Sequence, residues 1–557
     1  MEETANARGA RRTSAAPAGA ARRTAADLAI VGARIRTLDP ARPFASAVAI
    51  RDGAIVAVGD DAEVRAACDS ATELVDGSGL ALVPGLTDGH MHPIWGAELT
   101  QGVDLGGLTD PSAVRDALAR AAATLPPDAW VQAWNLDYAV FGERAIDGAI
   151  FDDVLGGRPL IAILYDLHTG LANPRALELA GIDGPVRFAD ASEIVVRDGR
   201  PTGELREMSA YRAVLDRMPG ADPAARRRTI AASLRRLAAL GLTGAHMMDG
   251  TPETFELFAA LEAEGALPLR IVVPLWQQPG VSDEEVAAQL ALRDVGGRRW
   301  RGGVAKFFID GVIDSGTAWL HEPDVEGSSQ APFWPRPERY AEVVARFARA
   351  GFQCVTHACG DRAVIAALDA YAAAGATPPN GARHRVEHLE TLSDEDVRAV
   401  AAAGVVASMQ PLHMQWRAAD GSDSWARRLG PERAARAFRT RALLDAGAPL
   451  ALGSDWPVAQ CDPRIGMAWA RLRRTPGEPE APVFEPDQAL TALEALEGYT
   501  SWNAATVGEQ RRLGRIAPGF AGDLTGFAAD PVDTGADELP ALPVALTVVD
   551  GEIVHRG

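Results

Sequence analysis

Apolar and polar positions along the chain fall into two textures. Near the start, "DLAIVGARIRTLD" and "ASAVAIRDGAIVAVGD" alternate apolar residues with small or polar ones, and Asp52-Gly53 sits between two runs as a hairpin turn. Near the end, "GDLTGFAAD" and "ALTVVDGEIVHRG" repeat the texture, with Asp550-Gly551 as the turn. This pattern predicts a small antiparallel sheet at the start. It also predicts one β-domain assembled from both ends, which brings the termini together on one side of the core.

Between the ends, short apolar runs alternate with Ala-, Leu- and Arg-rich stretches of helical period. Eight runs read as strands: "LALVPGLTDGH", "GLTGAHMMD", "LRIVVPLW", "GVAKFFIDG", "FQCVTHACG", "RHRVEHLE", "VVASMQPLH" and "APLALGSDW". Helical segments such as "PAARRRTIAASLRRLAAL" and "RPERYAEVVARFARA" precede several of them. Eight β/α units predict an α/β chain folded as a (β/α)8 barrel over residues 85–504. The β-domain takes residues 26–84 and 505–557. Residues 105–218 do not fit the barrel count, and the strands "AWVQAWNLDY" and "PLIAILYDLHTG" mark them as a subdomain inserted after the first barrel strand. Residues 1–25, rich in Ala, Arg and Gly, read as a disordered tail.

Composition narrows the partners. The chain has 557 residues with Lys+Arg 55 against Asp+Glu 75, a net charge of −20 that disfavours nucleic acid and anionic membrane surfaces. No apolar run reaches the roughly 18 residues needed to span a bilayer. Arg11-Arg12 and Arg22-Arg23 invite an export-signal reading, but no apolar stretch follows either pair. Four scattered cysteines read as reduced thiols rather than a disulfide framework, which places the protein in the cytoplasm.

Candidate chemistry sits at the strand ends. His90 and His92 are two apart in "VPGLTDGHMHPIWG", so on a strand they share a face and could share a metal ion. Lys306 lies on strand four, His357 ends strand five, His388 ends strand six, and Asp455 ends strand eight. Taken singly, each has a structural explanation: a hydrogen-bonded core histidine, half of an ion pair, a turn carboxylate. Barrel active sites lie at the C-terminal rim, where all six would converge.

The stretches "VPGLTDGHMHP", "DLHTGLANPRAL", "PTGELREM", "VAKFFIDGVIDSGTAWL", "THACGDRAV", "HRVEHLE", "SMQPLH", "LGSDWPV" and "GRIAPGFAGDL" give the chain its likeness. It resembles the amidohydrolase superfamily, in the amidohydrolase-3 branch that includes YtcJ-like proteins and N-substituted formamide deformylases. The resemblance implies a TIM barrel, a β-sandwich built from both termini, and a centre of one or two divalent metal ions. His90, His92 and Asp455 would bind the more buried ion, and His357 with His388 the more exposed one. Lys306 would bridge them as a CO2-derived carbamate, because an ammonium has no lone pair to offer. Imidazole and oxygen ligands suit zinc.

The implied reaction is hydrolysis of a C–N bond in an amide or N-substituted formamide by metal-activated hydroxide, with Asp455 as the catalytic proton carrier. Trp95, Trp319, Trp416 and Trp456 lie close in sequence to the rim, so the small-molecule substrate is expected to carry an apolar or aromatic group. Asp166, His168, Asn173 and Glu207 match family motifs and are expected to cap or contact the site; His413 is expected to orient the substrate. His246 reads as a core residue or one standing behind the ligands. Two alternatives stay open: a deaminase of the same superfamily, and a catalytically silent barrel protein. A homodimer is an admissible assembly.

Overall fold

The computed structural model describes residues 24–142, 144–220 and 222–557. Of the expected disordered tail, residues 1–23 lie outside the described residues. The centre of the fold is one eight-stranded sheet whose neighbours all run parallel: β1 (Leu86–Met91), β2 (Leu242–Met247), β3 (Arg270–Trp276), β4 (Trp300–Phe308), β5 (Gln353–Ala358), β6 (Arg385–His388), β7 (Val406–Met409) and β8 (Leu450–Leu452). Strand order follows chain order, as a TIM barrel requires.

The seam between β8 and β1 is closed without a regular ladder. The Asn503 amide donates to Thr87 O at 2.7 Å and to Leu452 O at 2.9 Å, one on each side of the seam. The Asp455 backbone N–H donates to His90 O at 2.7 Å. Asp88 accepts from His90 N at 3.0 Å and from Ser454 N at 3.1 Å. These bonds bring the segments that carry His90, His92 and Asp455 side by side.

Helices cover the barrel because their sequences carry an apolar stripe. In Pro337–Arg349 the buried positions are Tyr340, Val343, Val344, Phe347 and Ala348, the i, i+3, i+4, i+7 spacing of one helical face. Starts are fixed locally: Ser282 with Glu285 and Ser393 with Asp396 form capping boxes.

Two differences from the sequence reading concern the first strands. "LALVPGLTDGH", read as one strand, is two: Ala81–Pro84 pairs with Leu524–Phe527, and only β1 joins the barrel. The break falls at Pro84-Gly85, where a Cβ on Gly85 would stand 2.3 Å from Thr243 Oγ1. The N-terminal segment is likewise shared out. Leu28–Val31 pairs parallel with Glu73–Asp76 and antiparallel with Ala47–Arg51, whereas Arg34–Arg36 joins a second sheet; Gly32, at φ 76°, makes the turn between them.

The terminal segments thus build a four-stranded and a six-stranded sheet. Ile30, Val48 and Val75 of one and Ile35, Leu82, Leu524 and Val548 of the other belong to a single apolar cluster. Both expected turns are present, with Asp52 and Gly53 at φ 51° and 74° and Asp550 and Gly551 at 56° and 76°. Residues after β1 form a separate six-stranded sheet between Val103 and Arg206, with cores of its own. It delivers two segments to the barrel mouth: the Asp166–His168 turn between strands Leu160–Leu164 and Thr169–Ala172, and Glu207, which follows strand Arg200–Arg206.

Candidate metal centre

His90 closes β1 with its ring pinned from behind. Its Nδ1 lies 2.7 Å from Glu387 Oε2, and Glu387 is itself held by Arg385 through Nε at 2.9 Å and Nη2 at 3.0 Å. A carboxylate accepts from Nδ1–H, so the Nε2 lone pair is left facing the barrel mouth. Arg385 also donates to Gly89 O at 2.7 Å and meets His246 Nδ1 at 3.0 Å. His246 therefore stands behind His90, through Arg385 and Glu387. Burial, then the Arg385 charge, holds its imidazole well below the usual range.

Asp455 Oδ1 stands 3.2 Å from His90 Nε2 and 3.1 Å from His92 Nε2. These three buried donors lie within 4.8 Å of one another, and so do those of His388, His413 and Asp455. Asp455 is common to both groups. Burial alone would raise its pKa, yet His90 and His92 outweigh burial and hold the carboxyl well below the ordinary range. His388 and Asp455 have backbones at φ 77° and 60°, costly conformations for residues with side chains, of the kind that clusters at functional sites.

Lys306 is fully buried, with Nζ 4.8 Å from the Phe308 ring centroid. Burial pushes its amine down to about 8. Among the described residues, Lys306 Nζ, His388 Nδ1, His413 Nε2 and Asp455 Oδ1 are buried without a hydrogen-bond partner. Buried polar atoms are rarely left unpaired, and the three on His388, His413 and Asp455, which lie together, mark a place completed by something else. Imidazole nitrogens and carboxylate oxygens aimed at a common point suit a divalent cation, so the residues fit a metal.

His357 takes part differently. Its ring stacks on Phe308 at 4.3 Å and lies 4.4 Å from that of His388, while its Nε2 meets Gly311 O at 3.0 Å. Nδ1 is then the nitrogen free to accept. Burial, with the His168 charge behind it, keeps His357 well below the ordinary range, and burial with His357 does the same for His388.

Above these side chains opens a cavity, lined by His90, His92, His357, His388, His413 and Asp455 below and by aromatic side chains above. Trp95, Asp166, His168, Glu207 and Trp416 line it too. His168 Nδ1 lies 2.8 Å from Glu207 Oε2; burial opposes protonation, but Glu207 prevails and raises the imidazole to about 9. Trp319 and Trp456 are not among the lining residues. The Trp319 ring lies under Arg362, and the Trp456 ring packs on Gly96, where a Cβ would come within 2.5 Å. Asn173 is away from the site as well. It caps helix Pro174–Ala180, accepting from Ala176 N at 3.0 Å.

Sequence reasoning missed several residues that the structure brings in. Glu387 and Arg385 sit inside "HRVEHLE", where alternation with His388 is the available signal. Asp249 approaches His92 Nδ1 at 3.6 Å. Asp310 accepts from Trp319, Cys359 and Gly360 backbone N–H groups, although burial still lifts its carboxyl to about 8. Glu390 accepts from Trp425 Nε1 at 2.7 Å and stands 3.9 Å from His413 Nδ1.

A model of the Amidohydrolase family matches residues 73–555. The chain is 29% identical over 559 aligned positions to N-substituted formamide deformylase of Arthrobacter pascens, covering 95% of this chain and 98% of that protein. It is 27% identical over 524 positions to the amidohydrolase YtcJ of Bacillus subtilis, covering 92% and 96%. Among solved structures, an uncharacterized metal-dependent hydrolase from Pyrococcus furiosus shares the fold with a TM-score of 0.70 at 22% identity, over 91% of this chain and 100% of that one. With the family match taking in the whole barrel, the chain belongs to the amidohydrolase family of metal-dependent hydrolases, in its amidohydrolase-3, YtcJ-like branch.

Proposed function

We propose that the protein hydrolyses a C–N bond in an amide or N-substituted formamide that carries an apolar or aromatic group. The observation that carries this reading is Asp455, whose carboxylate meets His90 and His92 at 3.2 and 3.1 Å at the floor of an aromatic-lined cavity. Likeness to the formamide deformylase across nearly the whole of both chains supports it.

In this reading His90, His92 and Asp455 hold one divalent ion, zinc by the chemistry of the donors, and His357, His388 and His413 surround the place for a second. Such an ion supplies two things when bound: it makes water acidic enough to attack at neutral pH, and it polarises a carbonyl. The chain does the rest. Asp455 takes the proton from the attacking water and delivers it to the departing nitrogen, which leaves as an amine. His413, on the turn Pro411–Trp416, orients the carbonyl. Lys306, buried and unpartnered, is the candidate for reaction with CO2; its neutral amine adds to the carbon, losing a proton, and becomes an anionic carbamate. Trp95 and Trp416 form the apolar wall.

The two terminal sheets are read as one β-sandwich domain, on the strength of their common core. Among the described residues no helix is long and apolar enough to cross a membrane, and all four cysteines are unpaired. We read the protein as a cytoplasmic enzyme of small molecules.

The test is a panel of N-acyl and N-formyl amines offered to purified, metal-analysed protein. Release of an amine together with formate or another acid is expected for members with an aromatic arm. Release of ammonia from amidine-type rings, with no amine from any amide, would replace this reading with a deaminase.

A further inference from the structure

Arg417 follows the turn that carries His413 and Trp416, and its side chain is 9% exposed. Its guanidinium carbon lies 4.5 Å from the Trp425 ring centroid and 5.0 Å from that of Phe484. With Trp416 and Trp425 it lines the cavity above the metal centre. Stacking occupies the faces of a planar guanidinium but satisfies none of its in-plane N–H donors. Among the described residues, Arg417 Nε and Nη1 are buried without a hydrogen-bond partner. The Glu485 carboxylate stands 3.7 Å from Nη1, but it already accepts from Arg473 Nη2 at 3.2 Å. One carboxylate thus faces two guanidinium groups.

Three acidic groups of the same cavity, Glu390, Asp314 and Asp166, are in the opposite condition. Glu390 is served by Trp425 Nε1 at 2.7 Å. Asp314 is served by the hydroxyls of Tyr165 at 3.2 Å and Ser424 at 2.8 Å, and Asp166 by that of Tyr138 at 2.6 Å. Their need for donors is met inside the protein, whereas the need of Arg417 for acceptors is not. A buried charge short of partners is costly unless something entering the cavity completes it.

We propose that Arg417 determines specificity by receiving a carboxylate on the substrate, so that the preferred substrates are N-acyl or N-formyl amines bearing a carboxylate beside their apolar arm. A planar oxyanion matches the fork of the guanidinium edge, and the rings of Trp425 and Phe484 hold that fork in one plane. The His413 ring lies 5.8 Å from that of His388 and 5.4 Å from that of Trp416. One short turn therefore spans from the metal centre to the guanidinium, which suits a substrate that reaches both. This inference rests on the hydrolase reading for the scissile bond but not for the carboxylate contact.

The test is equilibrium binding to the metal-loaded full chain, read by calorimetry, with two probes that cannot be hydrolysed: hydrocinnamate and hydrocinnamyl alcohol. The wild-type protein is expected to bind the acid at least about ten-fold more tightly than the alcohol. In folded Arg417→Gln the ratio is expected to fall to about one. Should that variant fail to fold, Arg417→Met, which keeps an apolar stem between the two rings, gives the same reading. Equal binding of both probes by the wild type overturns the proposal, as does no binding of the acid at millimolar concentration. An acid preference undiminished in the folded variants also overturns it, because the carboxylate would then sit on the metal centre. None of these readouts uses turnover, so a failure here leaves the hydrolase reading standing, and a failure of the substrate panel leaves this one standing.

Discussion

Asp455 offers Oδ1 to His90 and His92 and faces His413 and His388 with Oδ2, at 3.5 and 3.9 Å. A carboxylate placed there can serve as ligand and as proton carrier, and the two roles respond differently to substitution. Asp455→Asn keeps the size and one oxygen but removes the basic oxygen. Turnover is expected to fall by about 10²–10⁴-fold, with metal content and substrate binding changed much less. Steady-state kinetics of the metal-loaded variant check this; near-normal turnover would assign the proton to another group. The candidate ligands were legible from sequence, since His90 and His92 declare a common face by their spacing. Their supports were not. Glu387 reaches His90 from 297 positions away, a pairing that only the barrel creates. Arg417 was not singled out in the sequence, since its burial between Trp425 and Phe484 depends on three segments meeting.

Among the elements, the seam between β8 and β1 governs the site. Gly453 has no side chain for a reason: a Cβ there would lie 2.4 Å from His90 N, 2.8 Å from His90 Cβ and 2.9 Å from Asp88 Oδ1. Backbone cannot move aside as a flexible side chain can. Gly453→Ala is expected to destabilise the protein by about 1–3 kcal/mol, the usual cost of overpacking. It should also weaken metal retention by displacing His90, while activity on any substrate falls with metal content. Thermal denaturation together with elemental analysis measures both effects; unchanged values would mean that the seam is looser than described. All eight barrel strands were legible as apolar runs between helical stretches. The division of "LALVPGLTDGH" between two sheets was not, because period and polarity do not change at Pro84-Gly85. The terminal tryptophans teach the same lesson. Trp319 and Trp456 follow the strands that carry Lys306 and lead to Asp455, yet the turns after those strands direct their rings into packing contacts rather than the cavity.

On the scale of the molecule, the terminal sheets are tied to the barrel by charge as well as by apolar packing. Arg270 on β3 donates to Asp523 through Nε at 2.5 Å and to Asp550 through Nη2 at 2.6 Å. Arg298 pairs with Asp550 as well. Burial raises the Asp550 carboxyl, but Arg270 and Arg298 outweigh it and hold the group below its ordinary range. A depressed carboxylate contributes stability that is present above its unfolded value, about 3.9, and is lost as pH falls through the folded value. Arg270→Met leaves Asp523 without its ion partner and Asp550 with Arg298 alone, and should cost about 3–5 kcal/mol near neutral pH. Melting curves of the two proteins should differ clearly at about pH 6 and approach each other below about pH 4. A gap that stays constant across that range would show that Arg270 acts through packing alone.

The account turns on a metal held by His90, His92 and Asp455, and the most direct measurement is the transition-metal content of the purified, folded protein. Elemental analysis is predicted to find one to two divalent ions per chain, zinc foremost, and to find the content much reduced in a folded His92→Ala variant. A well-folded preparation, supplied with metal throughout and carrying no bound transition metal, would contradict the account at its centre.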